Sequence, residues 1–168
     1  KISMFIPKAL YIWLVLSSFV VLYDATYVLL RPATMEGGSL FPYFTGYALY
    51  IKFDTLYANL TDTFVVIQSW LNLAEITLIL GSVLLSLSSC KIKKLIAALL
   101  IVVGSAFVFW KTVIYLWYSH DFTTEAVKKL TPDALLCFVL PSSFWIIFPV
   151  LTMYYISKNI VNYVRSTL

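Results

Sequence analysis

Three ionisable side chains stand inside long apolar runs: Asp24, Glu75 and Lys111. A charge in the middle of a membrane costs about 2.5–3.5 kcal/mol or more, so such residues usually face a bundle interior or a wet cavity. Gln68, Asn72 and Glu75 follow each other at i, i+4 and i+7, which puts them on one helical face. Ser82, Ser86 and Ser89 continue that stripe. Tyr23, Thr26 and Tyr27 surround Asp24, and Trp110, Thr112 and Tyr115 surround Lys111. Ser142, Ser143 and Trp145 lie between Pro141 and Pro149 in the last apolar run. A carboxyl in an apolar pocket can keep a proton at neutral pH, and a second carboxylate or amide can take one. A tryptophan face can stabilise a cation between them. Such a set suits moving a double bond in a hydrophobic lipid, and suits binding an amphiphile without reaction equally well.

Positioning these groups requires helices that cross a bilayer. The 168 residues are 61% hydrophobic and only 12% charged, with a mean hydropathy of +0.90. A soluble monomer of this size cannot hide so much apolar surface. A soluble enzyme, a nucleic-acid module and a disordered regulator are excluded on that ground. Four runs reach the roughly 20 residues a span needs, at about 9–30, 64–89, 95–118 and 134–156. Their length without period-2 alternation predicts helices rather than barrel strands. The expected fold is an all-α membrane protein, a single domain over 1–168 built as a four-helix bundle. At about 1.5 Å per residue, Asp24 lies roughly 9 Å, Lys111 roughly 10 Å and Glu75 roughly 16 Å from the outer ends of their spans. All three can meet in the outer half.

Only Cys90 to Lys94 separates the second and third runs, so they must form an antiparallel hairpin. Its lysines place the turn in the cytoplasm by the positive-inside rule, and both termini with it. Lys1, Lys8, Lys91, Lys93, Lys94, Lys158 and Arg165 then face the cytoplasm, and Arg31, Lys52, Lys128 and Lys129 face the other side. The first outer loop, about 31–63, holds the turn Met35-Glu36-Gly37-Gly38-Ser39 and the aromatic series Phe41, Tyr43, Phe44, Tyr47, Tyr50, Phe53 and Tyr57. These predict one or two short interfacial helices at the headgroup level. Asn59-Leu60-Thr61 is a glycosylation sequon on that side. Cys90 and Cys137 are too few and too far apart for a disulfide framework or a metal site, and no cofactor-binding motif is present. Cys90, beside the membrane and before lysines, is a candidate for palmitoylation.

In order and depth, Leu22-Tyr23-Asp24-Ala25-Thr26-Tyr27, Tyr50-Ile51-Lys52-Phe53-Asp54, Gln68-Ser69-Trp70-Leu71-Asn72-Leu73-Ala74-Glu75, Lys111-Thr112-Val113-Ile114-Tyr115 and Pro141-Ser142-Ser143-Phe144-Trp145 resemble the EXPERA domain. That is the group of the emopamil-binding protein and the sigma-2 receptor, and the stretch Gln68–Glu75 looks most like its fungal members. The resemblance covers nearly the whole chain. It implies four membrane helices with both ends cytoplasmic, in the endoplasmic reticulum membrane. It also implies a ligand that is a sterol-like or isoprenoid lipid, or a cationic amphiphile. Asp24 matches the acidic residue of the first helix, and Trp145 matches the tryptophan that faces a carbocation in the family's sterol Δ8–Δ7 isomerase. The chain departs from the isomerase at Val20, where the enzyme has histidine, at Ser69, where it has glutamate, and at Ser142, where it has asparagine.

The expected site is therefore Asp24 and Glu75 as the proton-trading pair. Gln68, Asn72, Lys111, Tyr115, Ser142 and Trp145 would surround the ligand. Two uses follow from it: isomerisation of a double bond, or non-catalytic sensing or chaperone-like work on sterols. Homodimerisation and membership of a larger membrane complex are compatible with either; nucleic acid is not an expected partner.

Overall fold

The computed structural model describes residues 5–167; Lys1, counted above at the cytoplasmic end, lies outside them. Four long helices dominate: α1 (Lys8–Leu29), α2 (Thr63–Ser86), α3 (Lys91–Ser119) and α4 (Leu140–Thr167). No strand occurs among the described residues, and α1, α2, α3 and the continuous helical stretch Pro132–Thr167 that contains α4 are long and apolar enough to cross a membrane. The second run ends at Ser86 rather than Ser89, so Ser89 belongs to the turn and not to the polar stripe. The third run starts at Lys91, so its lysines form the first helical turn instead of a loop. The fourth continues past Ile156 to Thr167.

Local chemistry sets these boundaries. Pro7 stands immediately before α1, where its missing N–H is no loss. The Asp62 carboxylate accepts from the Phe64 and Val65 amides and so opens α2. Its other oxygen accepts from the Tyr118 hydroxyl of α3 at 2.9 Å. The entry to α4 is less regular. Thr131 caps a turn at Pro132–Ala134, and a π-helical stretch, Leu135–Val139, follows. Pro141 explains it: its ring would crowd the Cys137 carbonyl in a regular helix, and it brings no N–H to that oxygen. Pro149, inside α4, withdraws the helical donor from the Trp145 carbonyl in the same way.

The sequential pairs α1–α2, α2–α3 and α3–α4 pack closely backbone to backbone. Gly104 permits one such approach, since a Cβ there would lie 2.6 Å from Ile79 Cδ1. Between α1 and α4 the joints are large side chains, chiefly Trp13 stacked on Phe148 at 4.0 Å between ring centres. One end of the bundle carries Lys8, the α2–α3 turn and the end of α4. There Phe5, Ile6, Leu10, Leu14, Ile79, Val83, Ala98, Ile101 and Ile156 form the main core.

The opposite end is capped by the loop between α1 and α2, with short helical turns at Phe41–Tyr43, Tyr47–Tyr50 and Thr55–Tyr57. The aromatic series does not all lie at the surface. Tyr43 is exposed, but Phe44, Phe53 and Tyr57 are buried. Arg31 ties the loop down by donating to the carbonyls of Leu56, Tyr57 and Asn59. The loop between α3 and α4 is clipped to it, with the Thr124 amide donating to the Phe53 carbonyl and the Thr55 hydroxyl to that of Phe122.

Candidate functional site

Under the cap, all four helices and the first loop enclose a cavity of about 320 Å³. Asp24 comes to it from α1; Gln68, Ser69 and Asn72 from α2; Lys111 and Tyr115 from α3; Ser142 and Trp145 from α4. Tyr47, Tyr50 and Tyr57 form its roof. Seven of the eight residues expected from the sequence therefore share one space. The eighth, Glu75, lines a second cavity of about 30 Å³, with Trp13, Ser17, Ser18, Ser105 and Thr152. That is about the share of one water molecule in the liquid.

The order of the lining residues along every helix puts the small cavity nearer the lysine end. On α2 the lining passes from Gln68 and Asn72 to Glu75 and Ile79; on α3, from Tyr115 and Lys111 to Val108 and Ser105. Val21 and Trp145 line both spaces. The Lys111 ammonium donates to Asn72 Oδ1 and to Glu75 Oε2. Hence the ion pair spans the partition, with the cation belonging to the larger cavity and the carboxylate to the smaller. Asp24 and Glu75 do not face each other across a common space.

Asp24 is instead held by the roof. Its Oδ1 accepts from the Tyr47 hydroxyl at 2.8 Å, and Tyr57 donates to both carboxylate oxygens at 3.1 and 3.0 Å. The rings support this geometry, because Tyr27 and Tyr47 stack at 3.8 Å with only 5° between their planes. Aromatic packing thus fixes the phenol that reaches Asp24.

The sequence reading did not single out Asp54, which is fully buried in the roof. Its carboxylate accepts from the Tyr115 hydroxyl, from the Leu56 amide at 3.2 Å and from the Tyr50 hydroxyl at 3.4 Å. Burial pushes its pKa up to about 6 against the pull of these three donors. Burial also raises the phenols of Tyr47, Tyr50 and Tyr57, so they remain hydrogen-bond donors at neutral pH. An acid four residues after a tyrosine, amid aromatic residues, was the available signal for Asp54. The second omission, Trp13, gave no signal, since one tryptophan in an apolar helix is indistinguishable from packing.

Two groups define what the larger cavity can accept. Gln68 is 92% buried, and its Oε1 has no hydrogen-bond partner. An unpaired buried carbonyl costs about 1–3 kcal/mol, which a ligand donor can recover. Lys111, with three donors, is the complementary group. A molecule with a small polar head that both donates and accepts would satisfy the two together. No cluster of three or more His, Cys, Asp or Glu side chains that could hold a metal ion occurs among the described residues.

Trp110, beside Lys111 in sequence, points outward and is 61% exposed, so it takes no part in the site. The hydroxyls of Ser82 and Ser86 return to their own helix, donating to the Leu78 and Val83 carbonyls. Ser142 does the same toward the Phe138 carbonyl, which leaves its oxygen at the cavity wall as an acceptor. The chain matches no family model, and neither the curated proteins nor the solved structures contain a match to it.

Proposed function

We propose that this chain binds an amphiphilic lipid of the sterol-like or isoprenoid class within the membrane, with a hydroxyl head beneath the tyrosine roof. The observation that carries the reading is Gln68 Oε1, a buried acceptor without a donor at the edge of a largely apolar cavity. A lipid hydroxyl donates to it and can accept from Lys111 in the same pose. Val20 and Tyr23 on α1 are about half exposed where they line the cavity, which gives the apolar body a way toward the surrounding hydrocarbon. The volume is at the lower end for ligand pockets, and it fits a head and the first ring or isoprene units. An EXPERA-like protein of the endoplasmic reticulum is the setting that agrees with these features. The exposed lysines Lys91 and Lys93, with the half-buried Lys94, favour a cytoplasmic position for the α2–α3 turn.

The test pairs a ligand change with a side-chain change. Tritiated cholesterol should bind the purified protein saturably in mixed micelles. Gln68→Leu should weaken it roughly tenfold, as loss of one hydrogen bond of about 1.4 kcal/mol implies. Cholesterol methyl ether should bind the wild type about as weakly, and should lose nothing further in Gln68→Leu. Equal binding of alcohol and ether by the wild type, or no saturable binding, ends the proposal.

A second reading is favoured by Asp24 and Trp145 lining one cavity: isomerisation of a double bond in the bound lipid. In it Asp24 supplies the proton and Trp145 faces the cation. Glu75 lies beyond the partition and its neighbour Lys111 is already protonated, so the proton that the cation loses as the new double bond forms would return to the Asp24 carboxylate left by the first step. Incubation with a Δ8-sterol separates the two readings: Δ7 product supports catalysis, and binding without conversion leaves the protein a sensor or chaperone-like subunit.

A further inference from the structure

The partition between the two cavities has a construction of its own. Trp145 borders both, and Pro149, one turn along α4, already belongs to the lower space. Trp13 reaches across from α1 and meets the Trp145 indole edge-on, with ring centres 5.8 Å apart. Trp13 is in turn clamped flat against Phe148, at 4.0 Å and 16°. Two tryptophans and a phenylalanine therefore bridge the one pair of neighbouring helices whose backbones stand apart. Below the bridge the walls become mixed: Ile79 and Leu14 stand beside Ser105, Ser17 and Thr152, with Glu75 among them.

We propose that Trp145, positioned by Trp13, is a specificity-determining residue: it is the floor that limits how far an apolar tail can descend toward Glu75. The idea rests on the lipid-binding reading and adds to it a selection by depth. Without the indole, the two cavities join beside the Lys111–Glu75 pair and Val21, and the space continues about 10 Å further from Asn72 to Ile79 on α2. With it, a ligand whose head sits at Gln68 must send any longer tail sideways between α1 and α4. The wild type would then favour short or laterally directed bodies, and floor variants would admit straight chains. The floor also keeps apolar matter from the Lys111–Glu75 pair, which loses solvation wherever a tail replaces a polar neighbour.

A hexadecanol carrying a photoreactive diazirine on its terminal carbon reads depth directly, because the labelled residues are identified by mass spectrometry. In wild-type protein, label competed by unlabelled cholesterol should fall at the cavity mouth, on the half-exposed Val20 and Tyr23 of α1. In Trp145→Ala the label should shift inward, onto Ile79, Ser105 and Thr152. Trp145→Phe retains an aromatic ring for packing and should divide the label between the two levels. A wild-type pattern in both variants would overturn the floor, and so would inner labelling of the unaltered protein. Absence of any competed label on the wild-type outer cavity would sink the lipid-binding reading itself, and the floor with it.

Discussion

The two halves of the bundle are built from the same four helices and use them in opposite ways. Toward the lysine end, Ile79, Val83, Ala98, Ile101 and Ile156 close around one another, and Gly104 lets α2 and α3 approach. Polar side chains there, such as Ser82, Ser86 and Thr152, return to their own helix backbones. Toward the capped end the helices stand around a cavity, and polar groups reach between elements: Tyr47 and Tyr57 to Asp24, Tyr115 to Asp54, Tyr118 to Asp62. One half is packed for contact, through small residues that permit close approach. The other keeps space and unspent hydrogen-bonding capacity, which a site requires and a core avoids.

The joint between the halves should be the most sensitive point. Lys111→Met leaves Glu75 as a largely buried carboxyl without its cation, which costs up to about 3–5 kcal/mol. Thermal unfolding in detergent should show a large drop. The double substitution Lys111→Met with Glu75→Met should recover most of it, because matched apolar groups replace a pair whose desolvation was expensive. If Lys111→Met alone is as stable as wild type, the two halves are not joined by this pair.

A smaller effect distinguishes the halves themselves. Ile156 is fully buried in the lysine-end core, and its truncation to alanine should cost about 3 kcal/mol. Val20 lines the cavity and is 51% exposed, so the same kind of truncation there should stay within about 0.5 kcal/mol. Comparable losses at both positions would mean that the capped half is as tightly packed as the other, and the contrast would fail.

The legible part of this fold was the part governed by run length and charge. Four apolar segments and a lysine-rich turn fixed the helices to within a few residues. The exceptions are both in α4: Pro141 forces a π-helical stretch at its entry that no hydropathy window resolves, and the helix runs on well past Ile156 to Thr167, through a polar stretch that does not read as a span. The Gln68, Asn72 and Glu75 stripe was visible as a face, but a face does not tell at what height a partition lies. It took the linings of the two cavities to place Asn72 on one side of it and Glu75 on the other. The roof was hidden for another reason. Tyrosines at a membrane edge ordinarily lie at headgroup level. Whether they turn inward depends on distant acceptors, as Tyr57 does on Asp24, 33 residues away in the chain.

That roof also makes the capped half responsive to pH, whereas the lysine-end core cluster contains no carboxylate. Asp54 has its pKa raised from 3.8 to about 6 by burial, so between these values the folded protein holds a proton that the unfolded chain has released. Stability therefore falls as pH rises through this window, and the whole effect is in place above about 6. Two units correspond to roughly 2–3 kcal/mol. Unfolding followed from pH 4 to pH 7.5 should show that decline in the wild type and a flatter profile in Asp54→Asn. Tyr115→Phe should shift the midpoint upward, because Tyr115 supplies the strongest of the donors that favour the ionised carboxylate. Should Asp54→Asn retain the wild-type slope, the proton would belong to another group, and the roof would be as indifferent to pH as the core beneath it.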